Sequence, residues 1–310
     1  MIAAQNISKY FSTAPALEDI SFHIEKGEIV GFLGPNGAGK TTLMRILASY
    51  LPPTKGKASL AGFDTLKQSL AVRRLIGYLP ETPPLYPDMT VKDYLLFAAK
   101  LKDVGHGRLK ARLQQTLSEC QLADVQHQTI ATLSKGYRQR VGIAQAIIHD
   151  PQVLILDEPT SGLDPRQIIQ IRQLIKNAER QRTVILSTHI LSEIEQVAQR
   201  VIIIKKGKIV ADQPLAHLLK GNGETKKILL IFCGAPATAE EALRQTSGLC
   251  RILSQSSSEN VHTLTIEVQA GCDKSRFTES LLQSGNQLLE MREINPSLEE
   301  IFLQLTADKD

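Results

Sequence analysis

Residues 34–42 run Gly34-Pro35-Asn36-Gly37-Ala38-Gly39-Lys40-Thr41-Thr42, the pattern G-x-x-x-x-G-K-[ST]. The apolar run Ile29-Val30-Gly31-Phe32-Leu33 before it reads as a buried strand. Thr42-Leu43-Met44-Arg45-Ile46-Leu47 after it reads as a helix. A strand that feeds a glycine-rich turn and then a helix gathers several backbone N–H groups around one point. The helix start adds partial positive charge there. Gly34, Gly37 and Gly39 let the backbone approach a phosphate closely and take positive φ without a Cβ clash. Lys40 is placed to reach β- and γ-phosphates, and the Thr41 hydroxyl to ligate Mg²⁺. Pro35, Asn36, Ala38 and Thr42 complete the loop around the same anion. The segment implies a nucleoside triphosphate as ligand.

A length of 310 residues implies about two domains. A hydrophobic content of 42% supplies a large core. The net charge of +4 is spread along the chain, so no nucleic acid is expected as partner. The basic run Lys205-Lys206-Gly207-Lys208 reads as a solvated turn. Cys120, Cys233, Cys250 and Cys272 form no C-x-x-C pair, which implies structural thiols in a reducing compartment. Met1–Asn6 shows no basic region followed by an apolar one, so no secretory signal is expected. Apolar stretches such as Val201-Ile202-Ile203-Ile204 fall far short of the roughly 18–20 residues that span a bilayer. A membrane role would then come through a partner chain.

The first 220 residues alternate short apolar strands with amphipathic helices, an α/β pattern. Val153–Leu156 and Val184–Leu186 read as parallel strands buried on both faces. Asp164 is placed to cap a helix that Pro165 opens, with Ile168, Ile171, Leu174 and Ile175 on one stripe. Residues 82–150 are mostly helical, with helices expected over Val91–Lys102, Leu109–Cys120 and Gly136–His149. Residues 223–227 read as a polar, glycine-rich linker between a domain of 1–222 and one of 228–310. The second domain shows a βαββαβ order, which implies a small ferredoxin-like α+β fold. A last helix from Asn295-Pro296 places Leu298, Ile301, Phe302 and Leu305 on one stripe, facing either the core or a partner.

Val153-Leu154-Ile155-Leu156-Asp157-Glu158 is a buried strand that ends in two carboxylates. At the strand's carboxyl edge Asp157 can meet the Mg²⁺ on Thr41, and Glu158 can polarise a water for in-line attack on a γ-phosphate.

The order of these motifs resembles that of the ATP-binding subunit of an ATP-binding-cassette (ABC) transporter, over about residues 1–220. Leu133-Ser134-Lys135-Gly136-Tyr137-Arg138-Gln139-Arg140 is similar to the family signature Leu-Ser-Gly-Gly-Gln. Ser161-Gly162-Leu163-Asp164 matches the D-loop, and His189 matches the switch histidine. The resemblance implies a P-loop NTPase fold with a helical subdomain, ATP hydrolysis and a Mg²⁺ cofactor. Within it, Ser134 and Gly136 meet the γ-phosphate held by an opposite subunit, Asp164 joins the ATP-binding residues, and His189 is a catalytic residue that senses the ligand. Phe11, with Tyr10 as the alternative, falls where the family stacks an aromatic on adenine; a core role for Phe11 stays open.

Two departures stand out. Lys135 and Tyr137 replace a glycine and the glutamine of the signature, and Glu81 replaces the Q-loop glutamine that addresses ATP and metal. The signature, the loop 34–42 and the closing Pro296-Ser297-Leu298-Glu299-Glu300-Ile301-Phe302 look most like type-2 exporter ATPases, including the gliding-motility type. That likeness implies a head-to-tail homodimer with two composite ATP sites. It also implies a separate integral membrane permease, and a cytoplasmic, peripheral location on the inner face of the membrane. The alternatives are a soluble ABC-type ATPase uncoupled from transport and a regulatory module with a dead site. A single cassette without long insertions counts against the first, and intact Lys40, Asp157, Glu158 and His189 count against the second.

Overall fold

A computed structural model describes residues 1–12, 14–179, 182–219, 225–258, 260–295 and 297–307. The chain divides into two units, Met1–Leu215 with Leu305–Asp310, and Ala216–Gln304.

The first unit is built on two sheets. Three strands, β3 (Ile29–Leu33), β7 (Val153–Asp157) and β8 (Thr183–Thr188), are buried at every position. Strands covered on both faces belong inside a parallel sheet. They form the centre of a six-stranded sheet in the order β10-β9-β3-β8-β7-β6, with β6 spanning Ile76–Leu79. Strands β9 (Arg200–Lys205) and β10 (Lys208–Pro214) close one edge as an antiparallel hairpin, and the basic run forms its turn.

The unit opens differently from the expected strand–helix alternation. Strands β1 (Ile2–Phe11), β2 (Ala14–Ile24), β4 (Lys55–Leu60) and β5 (Phe63–Asp64) form an antiparallel sheet, β2-β1-β4-β5. Bulges hide it in the sequence. The β1–β2 register shifts three times, and Asn6 and Asp19 take positive φ, which breaks the alternation of apolar residues. The core lies between the two sheets and helix α1 (Lys40–Leu47), where Leu17, Phe22, Phe32, Met44, Ile155 and Ile185 pack together. Phe22 meets Phe32 edge to face at 5.3 Å.

Helix α2 (Ser69–Leu75) precedes the helical subdomain, which comprises α3 (Val91–Leu101), α4 (His106–Glu119) and α5 (Lys135–Ile147). These lie within three residues of the expected spans. Helix α6 (Pro165–Glu179) starts behind Asp164, whose Oδ1 accepts the Gln167 N–H at 2.9 Å. Helices α7 (Leu191–Val197) and α8 (Leu215–Leu218) follow. Among the described residues no helix is long and apolar enough to cross a membrane.

The second unit runs β11 (Thr225–Cys233), α9 (Pro236–Arg244), β12 (Leu249–Ser258), β13 (Val261–Gln269), α10 (Ser275–Gln283), β14 (Gln287–Ile294) and α11 (Leu298–Thr306). Its antiparallel sheet has the order β12-β13-β11-β14, so each strand–helix–strand half brackets a strand of the other. Ile228, Phe232, Leu264, Phe277 and Leu281 form its core.

The boundary differs from the expected linker. Thr225–Lys227 belong to β11, where they pair with Gln269–Glu267. Ladder hydrogen bonds override the polar composition there. Gly223 and Glu224 lie outside the described residues, as does Pro296 at the expected start of the last helix. Leu298 and Ile301 are buried, while Phe302 and Leu305 are partly exposed.

Gly77 in β6 lets the signature helix approach the sheet. A Cβ at this position would strike the Ala146 carbonyl of α5. Gly77→Ala therefore forces α5 away from β6 and destabilises the cassette by about 1–3 kcal/mol. A lowered urea midpoint in chemical denaturation is the expected result; an unchanged midpoint would show that α5 does not depend on this contact.

Candidate functional site

Parallel register brings four loops to one edge. Leu33 lies opposite Thr188, Asp157 opposite Ser187, and Leu79 opposite Leu156. The segments leaving these strands carry Gly34–Thr42, Glu158, His189 and Glu81. Ligands of open α/β sheets bind at this carboxyl edge. Here it holds a cleft of about 520 Å³, lined by Asn36–Thr42, Glu81, Glu158, Ser161, His189 and Ala16.

The loop is held from outside. Gly207 in the β9–β10 turn donates its N–H to Ala38 O at 3.0 Å, and Ala38 donates to Pro35 O at 3.1 Å. Gly37 and Gly39 take φ of 79° and 108°, as expected. Gly34 differs: its φ lies outside the left-handed region, and the need for glycine comes from packing, because a Cβ would strike the Ile204 carbonyl. Gly39 caps α1 without any side-chain hydrogen bond. The first N–H groups of the helix are therefore left to an anion.

Lys40 is 6% exposed, with Nζ donating to Gly34 O at 2.7 Å and standing 3.8 Å from Glu158 Oε1. Burial pulls its ammonium below the ordinary pKa, against Glu158, Asp157 and Glu81, which favour the charged form. Glu158 is also buried, with φ of 49°. This left-handed turn at a non-glycine residue is strained. It is held by the Glu158 N–H on Ser187 O at 3.0 Å. Burial raises the Glu158 carboxyl above its ordinary pKa, while His189 and then Lys40 oppose that rise. His189 Nδ1 lies 2.8 Å from Glu158 Oε2. One carboxylate oxygen is thus held by the imidazole and the other is turned towards Lys40.

Asp157 is fully buried. Its Oδ1 accepts from the Ser187 hydroxyl, and from Thr41 Oγ1 at 3.3 Å. Its Oδ2 has no hydrogen-bond partner among the described residues. An orphaned buried carboxylate oxygen beside a hydroxyl fits a hard divalent cation such as Mg²⁺. No sequence signal singles out Ser187, because β8 also carries the hydroxyls of Thr183 and Thr188.

Ser134, Gly136 and Asp164 do not line this cleft. They gather beside one another instead. Ser134 caps α5, accepting the Tyr137 N–H at 3.4 Å, and Gly136 is packed against the Gln167 side chain that follows Asp164. Lys135 lays its ammonium over Gly162 of the D-loop. Tyr137 donates its hydroxyl to Asp124 at 2.6 Å and carries Arg140 on its ring at 4.0 Å. Phe11 is 51% exposed, which removes the core alternative for it; Lys9 Nζ stands 5.4 Å from its ring centroid.

These features define a P-loop nucleotide site. The model of the ABC transporter family matches residues 17–161. The chain is 32% identical to the uncharacterized ABC transporter ATP-binding protein YxlF of Bacillus subtilis, over 98% of this chain and 99% of that one. It is 31% identical to the linearmycin resistance ATP-binding protein LnrL of the same organism, over 99% and 98%. A solved structure of the ATP-binding cassette MJ0796, dimeric and bound to ADP and Pi after hydrolysis, superposes with a TM-score of 0.64 at 26% identity, covering 69% of this chain and 99% of that one. The chain belongs to the ABC transporter family, as one of its ATP-binding, ATP-hydrolysing proteins.

Lys40→Ala removes the buried cation of the cleft. Tight ATP binding should be lost, since a desolvated charge contact of this kind contributes about 2–5 kcal/mol. Isothermal titration with ATP checks it, and unchanged affinity would remove Lys40 from the phosphate site.

Proposed function

We propose that this chain is the ATPase subunit of an ABC exporter, working with Mg²⁺ as a head-to-tail homodimer beneath a separate integral membrane permease. The observation that carries the reading is the division of the site. The phosphate loop, Glu158 and His189 line one cleft, with Asp157 buried behind Thr41, whereas Ser134, Gly136 and Asp164 stand together outside it. A second copy turned head to tail supplies its Ser134 hydroxyl and Gly136 N–H to the γ-phosphate of the first. The dimeric state of the MJ0796 cassette supports this arrangement.

The chemistry follows from the cleft. The loop N–H groups and Lys40 bind the phosphates. Thr41 and Asp157, with Glu81 at hand, would hold Mg²⁺, which would supply positive charge against the transferred group. Glu158 takes a proton from a water as its oxygen attacks the γ-phosphorus, and the bond to the bridging oxygen breaks, releasing ADP and phosphate. His189 fixes Glu158 during that step. ATP thus closes the pair of chains and hydrolysis opens it.

An exporting role draws on the resistance function in the name of LnrL. The surface offered to the permease begins at Glu81. Tyr86, 53% exposed, packs edge-on against Phe97 at 5.6 Å and near Tyr94 at 6.0 Å. This aromatic group, which follows Glu81 in the chain, would receive the partner.

Glu158→Gln keeps the shape but removes the base, so turnover should fall by about 100-fold or more. An ATP-bound dimer should then accumulate on size-exclusion chromatography with ATP and Mg²⁺. Wild-type turnover would overturn the base role, and a monomer alone would overturn the dimer. Glu81→Gln removes an anionic oxygen that suits Mg²⁺. It should raise the Mg²⁺ concentration for half-maximal ATPase activity; an unaltered titration would leave Glu81 as a partner-coupling residue only.

A further inference from the structure

We propose that Glu193 is a positioning residue for hydrolysis, gripping the turn that carries His189 so that the imidazole stays on Glu158. The inference rests on the reading of Glu158 and His189 as the hydrolytic pair.

Glu193 lies in the first turn of α7, only 3% exposed. Its Oε2 accepts the hydroxyl of Thr188 at 3.1 Å. That hydroxyl, fully buried, in turn accepts the Ile190 N–H at 3.0 Å. The Glu193 N–H closes the loop on Ile190 O at 3.2 Å. Of the two neighbours of His189, Thr188 is therefore tied to the Glu193 carboxylate directly, and Ile190 through the Thr188 hydroxyl and the Glu193 backbone. His189 itself has a side chain 48% exposed, reaching Glu158 at 2.8 Å. A half-exposed imidazole on a free turn would sample several rotamers. Clamping the backbone on both sides restricts it to the one that meets Glu158.

The arrangement is a helix cap with one difference. In an ordinary capping box the acid at the third helical position reaches the cap N–H itself. Here the Thr188 hydroxyl stands between them, and it is attached to the last residue of β8. The contact thus joins the sheet edge to α7 across the catalytic turn. The other carboxylate oxygen, Oε1, is buried without a hydrogen-bond partner among the described residues. A buried acid with an unsatisfied oxygen is costly for capping alone. A function at the turn explains its presence.

The test uses the full chain with ATP and Mg²⁺, comparing Glu193→Ala, Glu193→Gln, Thr188→Val, His189→Ala and the double variant Glu193→Ala with His189→Ala. Glu193→Ala and Thr188→Val should lower kcat by about 10- to 100-fold, because small misplacements of catalytic groups have effects of that size. KM for ATP should stay unchanged. Glu193→Gln should restore most of the rate, since its amide oxygen can accept the same hydroxyl. The double variant should be no slower than His189→Ala alone. If Glu193→Ala proves unable to fold, Thr188→Val and the Gln variant decide the matter. Wild-type kcat in folded Glu193→Ala or Thr188→Val would overturn the inference. So would losses that multiply in the double variant, or a loss of rate matched by an equal loss of folded protein. Wild-type turnover in His189→Ala would instead overturn the hydrolytic pair itself, and this inference with it.

Discussion

The chemistry of this protein depends on the register of three buried parallel strands. Because β3, β7 and β8 are in step, Leu33, Asp157 and Thr188 finish at one edge. A slip of one residue would turn Asp157 away from Thr41, since successive side chains point to opposite faces. The register is secured by burial on both faces and by the core that packs Phe32, Ile155 and Ile185 under the antiparallel sheet. Catalytic geometry here is a by-product of sheet packing.

What the register assembles is a cluster of charge held out of water. Lys40 stands among Glu158, Asp157 and Glu81, and burial works against the ionised forms of Lys40 and Glu158 alike. The cluster is incomplete by itself. Among the described residues the first turn of α1 has no side-chain cap and Asp157 Oδ2 has no donor, and Lys40 folds back onto the carbonyls of its own loop. A phosphate chain with a divalent cation answers all three deficits at once. Binding energy would then be directed at the groups proposed to carry out the reaction, because they are the ones left unsatisfied.

The cleft was largely legible in the sequence because phosphate binding demands a fixed spacing of glycines, lysine and hydroxyl. The pair Asp157-Glu158 was legible because an apolar run ending in acids has few other uses. Elsewhere local pattern misled. Gly34 is required by the Ile204 carbonyl, a contact between strands distant in sequence, and not by its own φ. The β1–β2 sheet was hidden by bulges, and Thr225–Lys227 by their polar composition. Ser187 and Glu193 look like ordinary surface residues until tertiary packing buries them. Long-range contact decides such positions, and periodicity cannot report it.

The altered signature shows how such contacts re-use a changed residue. Tyr137 occupies the position of the family glutamine, yet its hydroxyl is spent on Asp124, within the connection between α4 and α5. Its ring carries Arg140, whose guanidinium also donates to Gln121 O at 3.0 Å. The first turn of α5 is therefore fastened to the α4–α5 connection through one aromatic side chain. Lys135, one residue after Ser134, lies across Gly162 on the other side. Ser134 and Gly136 thus sit between two anchors, one in the subdomain and one in the loop that leads to Asp164. A displacement of the subdomain must move the signature with it, and a displacement of the D-loop must do the same. The two departures from the signature thus each carry a contact of their own, Tyr137 with Asp124 and Arg140, and Lys135 with Gly162.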